Sequence, residues 1–123
     1  KVKNVLNAES KGIYQGKIFV KDVAQKTDAY QLSKAILLSE GSEFDSKPEL
    51  EIYADDVKCS HGSTSGNLDK DSIYYLMTRG LNQQESTKLL INAFLNEIVD
   101  SIKSNSIRNF IKTKLEDQII NEH

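Results

Sequence analysis

Residues 49–54 read Glu-Leu-Glu-Ile-Tyr-Ala, with Leu50, Ile52 and Ala54 on one side of the alternation. A period of two is the mark of a strand buried on one face. Pro48, just before it, suits the first residue of a strand or its approach. Working back along the chain, Lys17-Ile18-Phe19-Val20-Lys21 puts Ile18 and Val20 on one face, and Ala35-Ile36-Leu37-Leu38 is a short apolar run. Between these, Ala24-Gln25-Lys26-Thr27-Asp28-Ala29 is small and polar and reads as a tight turn entering a strand. Gly12, Gly16 and Gly41 punctuate the runs. The gaps are irregular and no short repeat is visible. The alternation alone allows a sandwich, a small barrel or the rungs of a solenoid.

Near Gly66 the period changes, which divides the chain into residues 1–66 and 67–123. Asp69 can cap a short helix through Ile73, Tyr74, Leu76 and Met77, stopped by Gly80 at C′. Asn82, three residues before Glu85, is a loose capping box. The helix it opens carries Leu90, Phe94, Ile98 and Ile102 at spacing four, widened by Ile91 and Leu95. A third helix, starting at Ser104 or Ser106, repeats Ile107, Ile111, Leu115 and Ile119, joined by Phe110. Short connections predict an antiparallel helical cluster. Its apolar faces either pack on one another and on the β part or form an interaction surface.

Composition narrows the functional classes. The chain of 123 residues holds 16 Lys and Arg against 18 Asp and Glu, and neither half is a basic module. Dedicated binding to nucleic acid or an anionic membrane is not expected. No apolar stretch approaches the ~20 residues of a membrane span, and no signal peptide is visible. The lone Cys59 excludes an intrachain disulfide framework. Lys1 opens the chain without an initiator methionine, and the expectation is of an excised fragment. Neither a phosphate-binding P-loop nor a dinucleotide fingerprint occurs, so any ATP chemistry belongs to another chain.

The densest polar segment, residues 54–66, reads ADDVKCSHGSTSG. Cys59 and His61 are two apart, and on a strand they share a face. Thiolate and imidazole are good ligands for iron or zinc. Two ligands do not make a site, so Asp55, Asp56 or a partner chain would have to complete it. The bland alternative makes Cys59 a small buried hydrophobe. A Cys–His nucleophilic pair is disfavoured, because parallel side chains on one strand are poorly placed for proton transfer. Asp55 and Asp56 either bind a cation or end a strand. Arg79 closes a helix, where a cation complements the dipole, or meets a carboxylate on a partner. Terminal His123 is assigned no role.

The blocks GKIFV, AQKTDA, ILLSEGSEFDSKPELEIYADDVKCSHGSTSG and LDKDSIYYLMTRGL carry a resemblance that runs from about Gly12 to Gly80 and more weakly through the last helices. They closely resemble the C-terminal part of the SufB/SufD family, scaffold components of the SUF iron–sulfur cluster assembly machinery. The KCSHG form resembles the SufD branch. SufB-like chains carry a more acidic, His-containing version without this cysteine. One small departure is Ser46, where Thr before Lys-Pro is common.

The resemblance implies a mainly β fold with C-terminal α structure: the end of a parallel β-helix, or β-solenoid, followed by a small helical domain. It implies a cytoplasmic, non-catalytic subunit that pairs with SufB through the β-helix ends. The helical region would dock the ATPase SufC, whose ATP-driven dimerisation would rearrange the scaffold pair and expose the site of the nascent cluster. The family's interface histidine falls on His61 and its neighbouring cysteine on Cys59. His61, and more weakly Cys59, are then expected to bind iron or a transient iron–sulfur cluster shared with SufB. ATP enters only through SufC, whose docking surface is expected between Ser72 and Phe94, with Tyr74, Tyr75 and Arg79 as contacts. The competing reading is a purely structural interface subunit without a direct metal ligand. Exposed edge strands also invite a homodimer in isolation.

Overall fold

The computed structural model describes residues 1–121; His123 lies outside the described residues. Two compact units, Lys1–Asn67 and Leu68–His123, divide the chain.

The first unit is all parallel β. Five strands follow in order: β1 (Val2–Leu6), β2 (Lys11–Val20), β3 (Asp28–Leu37), β4 (Glu43–Ile52) and β5 (Lys58–Asn67). Odd strands form one sheet in the order β1-β3-β5, and even strands pair as β2-β4. Val2 stands opposite Ser33, Lys11 opposite Glu43 and Asp28 opposite Lys58, so one turn of the chain takes about thirty residues. The chain thus alternates between two faces and climbs one rung per turn, as an open β-solenoid does. This decides among the three architectures that alternation allows, because every pairing is parallel and joins strands two apart in the chain.

Inside the coil the two sheets meet through the inward rows. Val20 and Ala35 are buried there, and Ser33 is 1% exposed, its Oγ 3.2 Å from Ser46 Oγ. The Tyr14 hydroxyl accepts from Gln31 Nε2 at 2.7 Å, tying β2 to β3. Leu50 and Ile52 belong to the inward row of β4 but stay 37% and 38% exposed, because β4 ends its sheet and no further rung covers them. Pro48 falls mid-strand rather than at a strand's start. An edge strand tolerates it, since a missing N–H there interrupts no central ladder.

Outside, the even sheet carries an ion-pair ladder. Lys11 Nζ lies 3.1 Å from both Glu43 and Asp45, and Lys17 Nζ reaches Glu51 at 3.0 Å and Glu49 at 3.4 Å. The hydrogen bonds that Lys11 donates to Asp45 and then to Glu43 hold its ammonium above its ordinary pKa. Glu51 is held below the usual carboxylate value, first by the Tyr53 hydroxyl and then by Lys17. These pairs are exposed and screened, so they contribute register more than stability. The corners also stack. Lys26, at φ 66°, donates its backbone N–H to Asp56 O at 2.7 Å, its ammonium pairs with the Asp56 carboxylate, and Asp56 N–H bonds Gln25 Oε1 at 2.9 Å.

The second unit holds α1 (Lys70–Thr78), α2 (Gln83–Val99) and α3 (Asn105–Asn121). Asp69 caps α1, accepting from the N–H groups of Asp71 and Ser72, and the Ser72 hydroxyl, then these N–H groups, hold its carboxyl below the usual range. Gly80 adopts φ 102° just past the Arg79 cap, where a Cβ would be strained. Asn82 Oδ1 accepts from Glu85 N–H at 2.9 Å while Glu85 Oε2 accepts from Asn82 N–H at 2.8 Å, a complete capping box. Replacing Asn82 by Ala removes one of these acceptors. It is expected to cost about 1 kcal/mol, read as a lower chemical-denaturation midpoint with an unchanged m-value.

α2 packs against both α1 and α3. Its buried residues are Ser86, Ile91 and Val99: Ser86 lies four residues before Leu90 on the expected stripe, Ile91 belongs to its widened edge, and Val99 falls one position past Ile98. With neighbours on two sides, coverage as well as apolarity selects what is buried, Ser86 included. The junction to α3 is fastened by Arg108, whose Nε and Nη2 donate to Ile102 O at 3.0 and 2.6 Å, and by the Lys112–Asp100 pair at 2.7 Å. Ile107 and Phe110 remain exposed at the start of α3. No described helix is long and apolar enough to cross a membrane.

Candidate functional site at the open end of the solenoid

The polar segment that sequence reading singled out for chemistry is itself a strand. Residues 58–67 pair along their whole length with β3, although they contain little apolar surface. A neighbouring strand already in place supplies the ladder, so β5 does not need strong β-formers of its own. Asp55 and Asp56 sit in the corner before it, and Asp56 is engaged by Lys26.

The register fixes where the candidate residues stand. Cys59 lies opposite Ala29 and His61 opposite Gln31. Gln31 reaches across the coil to Tyr14, so its row faces inward, and alternation places Cys59 and His61 in that same row. The outward row carries Gly62, where a Cβ would come within 2.7 Å of the Tyr30 hydroxyl. β5 ends the odd sheet as β4 ends the even one, so the row holding His61 lies at an open end. There His61 is exposed while Cys59, a free thiol, is half-buried. Among the described residues, no group of three or more His, Cys, Asp or Glu is placed to hold a metal ion. An ion held by His61 and Cys59 would need donors from beyond the described residues.

Two unpaired strand edges side by side make a surface suited to strand addition: backbone N–H and C=O groups supply affinity, and alternate side chains supply specificity. The structure therefore brings Cys59 and His61 together on one edge strand. Sequence reading passed over the support beneath them, formed by Gln31, Tyr14 and Gly16. A Cβ on Gly16 would overlap the Gln31 amide nitrogen and the Tyr14 hydroxyl, so the glycine makes room for their hydrogen bond. The one sequence signal for this was a glycine inside a strand-like run.

Tyr74, Tyr75 and Arg79 lie in the second unit, on α1 and its C-cap. Tyr74 is 71% and Tyr75 56% exposed, and the Arg79 guanidinium lies over the Tyr75 ring at 5.1 Å. A shallow apolar groove between α1 and α2 is lined in part by Tyr75, Leu76, Leu89 and Leu90. Exposed aromatics with a stacked guanidinium are the residue types that anchor protein interfaces.

Parallel two-faced coiling with a terminal strand bearing His61 and Cys59, followed by three helices, defines the β-solenoid class of fold. The chain belongs to the SUF system FeS cluster assembly family, matching its SufBD core domain over residues 1–94. It is 36% identical over 113 residues to the iron–sulfur cluster assembly protein SufD of Escherichia coli, covering 92% of this chain and 27% of that protein. An iron–sulfur cluster assembly SufBD family protein of Synechocystis is 42% identical over 106 residues, covering 86% of this chain and 23% of the relative. The SufD of Bacillus subtilis is 30% identical over 115 residues, covering 94% and 26%. The chain thus spans about a quarter of the length of the curated relatives it matches.

Proposed function

We propose that the protein is a non-catalytic scaffold subunit of the SufD branch, acting in a cytoplasmic iron–sulfur cluster assembly complex. Residues 1–66 serve as C-terminal rungs of a β-helix core and residues 67–123 as its C-terminal helical domain. The open end formed by β4 and β5 is the face that meets a SufB-like partner, and His61 and Cys59 belong to that interface. The exposed Tyr74, Tyr75 and Arg79 contact a SufC-like ATPase, through which alone ATP enters. Iron and sulfide are the cargo of the assembly. The observation that carries this reading is the free outer edge of the two strands that end their sheets, β4 and β5, in a chain of this family. The same edges account for a homodimer when partners are absent.

A second reading gives His61, with Cys59 as the weaker donor, a direct bond to iron or to a nascent cluster shared with SufB. It is favoured by their common row on β5. One experiment separates the two. The complex with its SufB-like and SufC-like partners is reconstituted anaerobically, and mass, iron and sulfide are compared between wild type and His61→Ala. The interface reading expects a weakened complex, with iron lost in proportion to the mass lost. An intact complex that has lost its iron supports the ligand reading instead. Intact mass with undiminished iron removes His61 from both roles. Failure of the wild-type protein to join such a complex overturns the scaffold assignment.

A further inference from the structure

Two buried side-chain polar atoms, Asn4 Nδ2 and Gln31 Oε1, lack a hydrogen-bond partner among the described residues, and the second stands in the row of His61. Gln31 is 8% exposed, and its Nε2 donates to Tyr14 at 2.7 Å. Its Oε1 is fully buried and accepts no hydrogen bond among the described residues. A buried carbonyl oxygen without a donor is unfavourable and calls for an explanation. The ladder supplies one neighbour. Gln31 stands opposite His61 in the β3–β5 register. In-register residues of adjacent strands are about 4.8 Å apart and share a face. An imidazole N–H and an amide oxygen at that spacing meet by side-chain rotation alone.

We propose that Gln31 is the positioning residue for His61. Its Oε1 accepts one ring N–H and so holds the imidazole in a single neutral tautomer. In the structure Nε2 donates to the Tyr14 hydroxyl, and the oxygen is the end left for the ring. With one nitrogen protonated against Gln31, the other presents a lone pair toward the open end. That lone pair accepts from a donor on an added strand, or binds a metal, with the ring already oriented as a second-layer acceptor orients a histidine ligand. The inference rests on the reading of the open end as the contact face, and it names the buried group that prepares that face.

The test is nitrogen-15 NMR of the intact protein, labelled at histidine, without partners or iron, at a pH where the ring is neutral. The His61 signals are assigned by their loss in His61→Gln. Wild type is expected to show one dominant tautomer. Gln31→Leu is expected to show both tautomers averaged, with the remaining spectrum retained, and Gln31→Glu, which keeps an acceptor oxygen, to restore one. A purely structural role for Gln31 would not produce that rescue. Averaged tautomers in wild type overturn the proposal whether or not any variant folds. A single tautomer retained in folded Gln31→Leu overturns it equally. Because no partner is present, this result is independent of complex formation: a single Gln31-dependent tautomer in a protein that fails to pair sustains the positioning role and counts only against the interface reading.

Discussion

Replacing Ile91 by Ala is expected to destabilise the helical unit by about 2–5 kcal/mol, the range for deleting most of a buried aliphatic side chain. Ile91 is 1% exposed, in the middle of α2, the helix on which both α1 and α3 pack. Truncation removes apolar area from water-free surroundings and leaves a cavity between elements that cannot close without moving a whole helix. Whole domains are stable by only about 5–15 kcal/mol, so the loss is a large share of what holds the unit. Amide hydrogen exchange should accelerate across residues 83–99 while the amides of β3 keep their protection, since the two units are separately compact. Equal acceleration in both units would show that they unfold together. Under the proposed function, this variant loses the ATPase while still meeting the partner scaffold.

Gly16→Ala is expected to act on the other unit. The added Cβ falls on the Gln31 amide nitrogen and the Tyr14 hydroxyl. Overpacking of this kind costs about 1–3 kcal/mol. Pushing the pair apart leaves the Gln31 amide buried without its partner, a further loss of about 1–3 kcal/mol. Both side chains have flexible ends, but Gln31 is packed inside the coil and has little room to retreat. A denaturant titration followed by tyrosine fluorescence should report an earlier transition of the β unit, and protection should fall at β3 and β5 rather than in α2. An unchanged transition would mean that Tyr14 swings out freely and that the Tyr14–Gln31 bond is dispensable. Under the proposed function, Gly16→Ala weakens pairing with the partner scaffold and leaves the ATPase surface intact, the reverse of Ile91→Ala.

The helices were legible because their signals are local. Asp69, Gly80 and the Asn82–Glu85 box act within four residues, and each appears where the sequence puts it. Two of the strands were legible in part. Val20 and Ala54 are buried as alternation predicts, but the runs at Ile18 and Ile52 are the ends of ten-residue strands whose other halves carry no apolar alternation. β5 was hidden for the same reason, since Ser, Gly, Thr and His carry no apolar period. At the candidate site, the two-residue spacing of Cys59 and His61 was visible, while Gln31, about thirty residues earlier, was not.

By itself, the sequence determined the strand-to-helix change near Gly66, the helix caps, the shared side of Cys59 and His61, and, through its long characteristic blocks, the family. These are properties of neighbours along the chain, or of its identity as a string. The family blocks implied parallel coiling, but only the tertiary structure decided that a turn takes about thirty residues, that β4 and β5 each end a sheet with one free edge, and that Gln31 stands opposite His61. The physical reason is that a parallel ladder joins residues a full turn apart. Its partners are set by where the chain returns, and local hydrophobic period carries no record of that return.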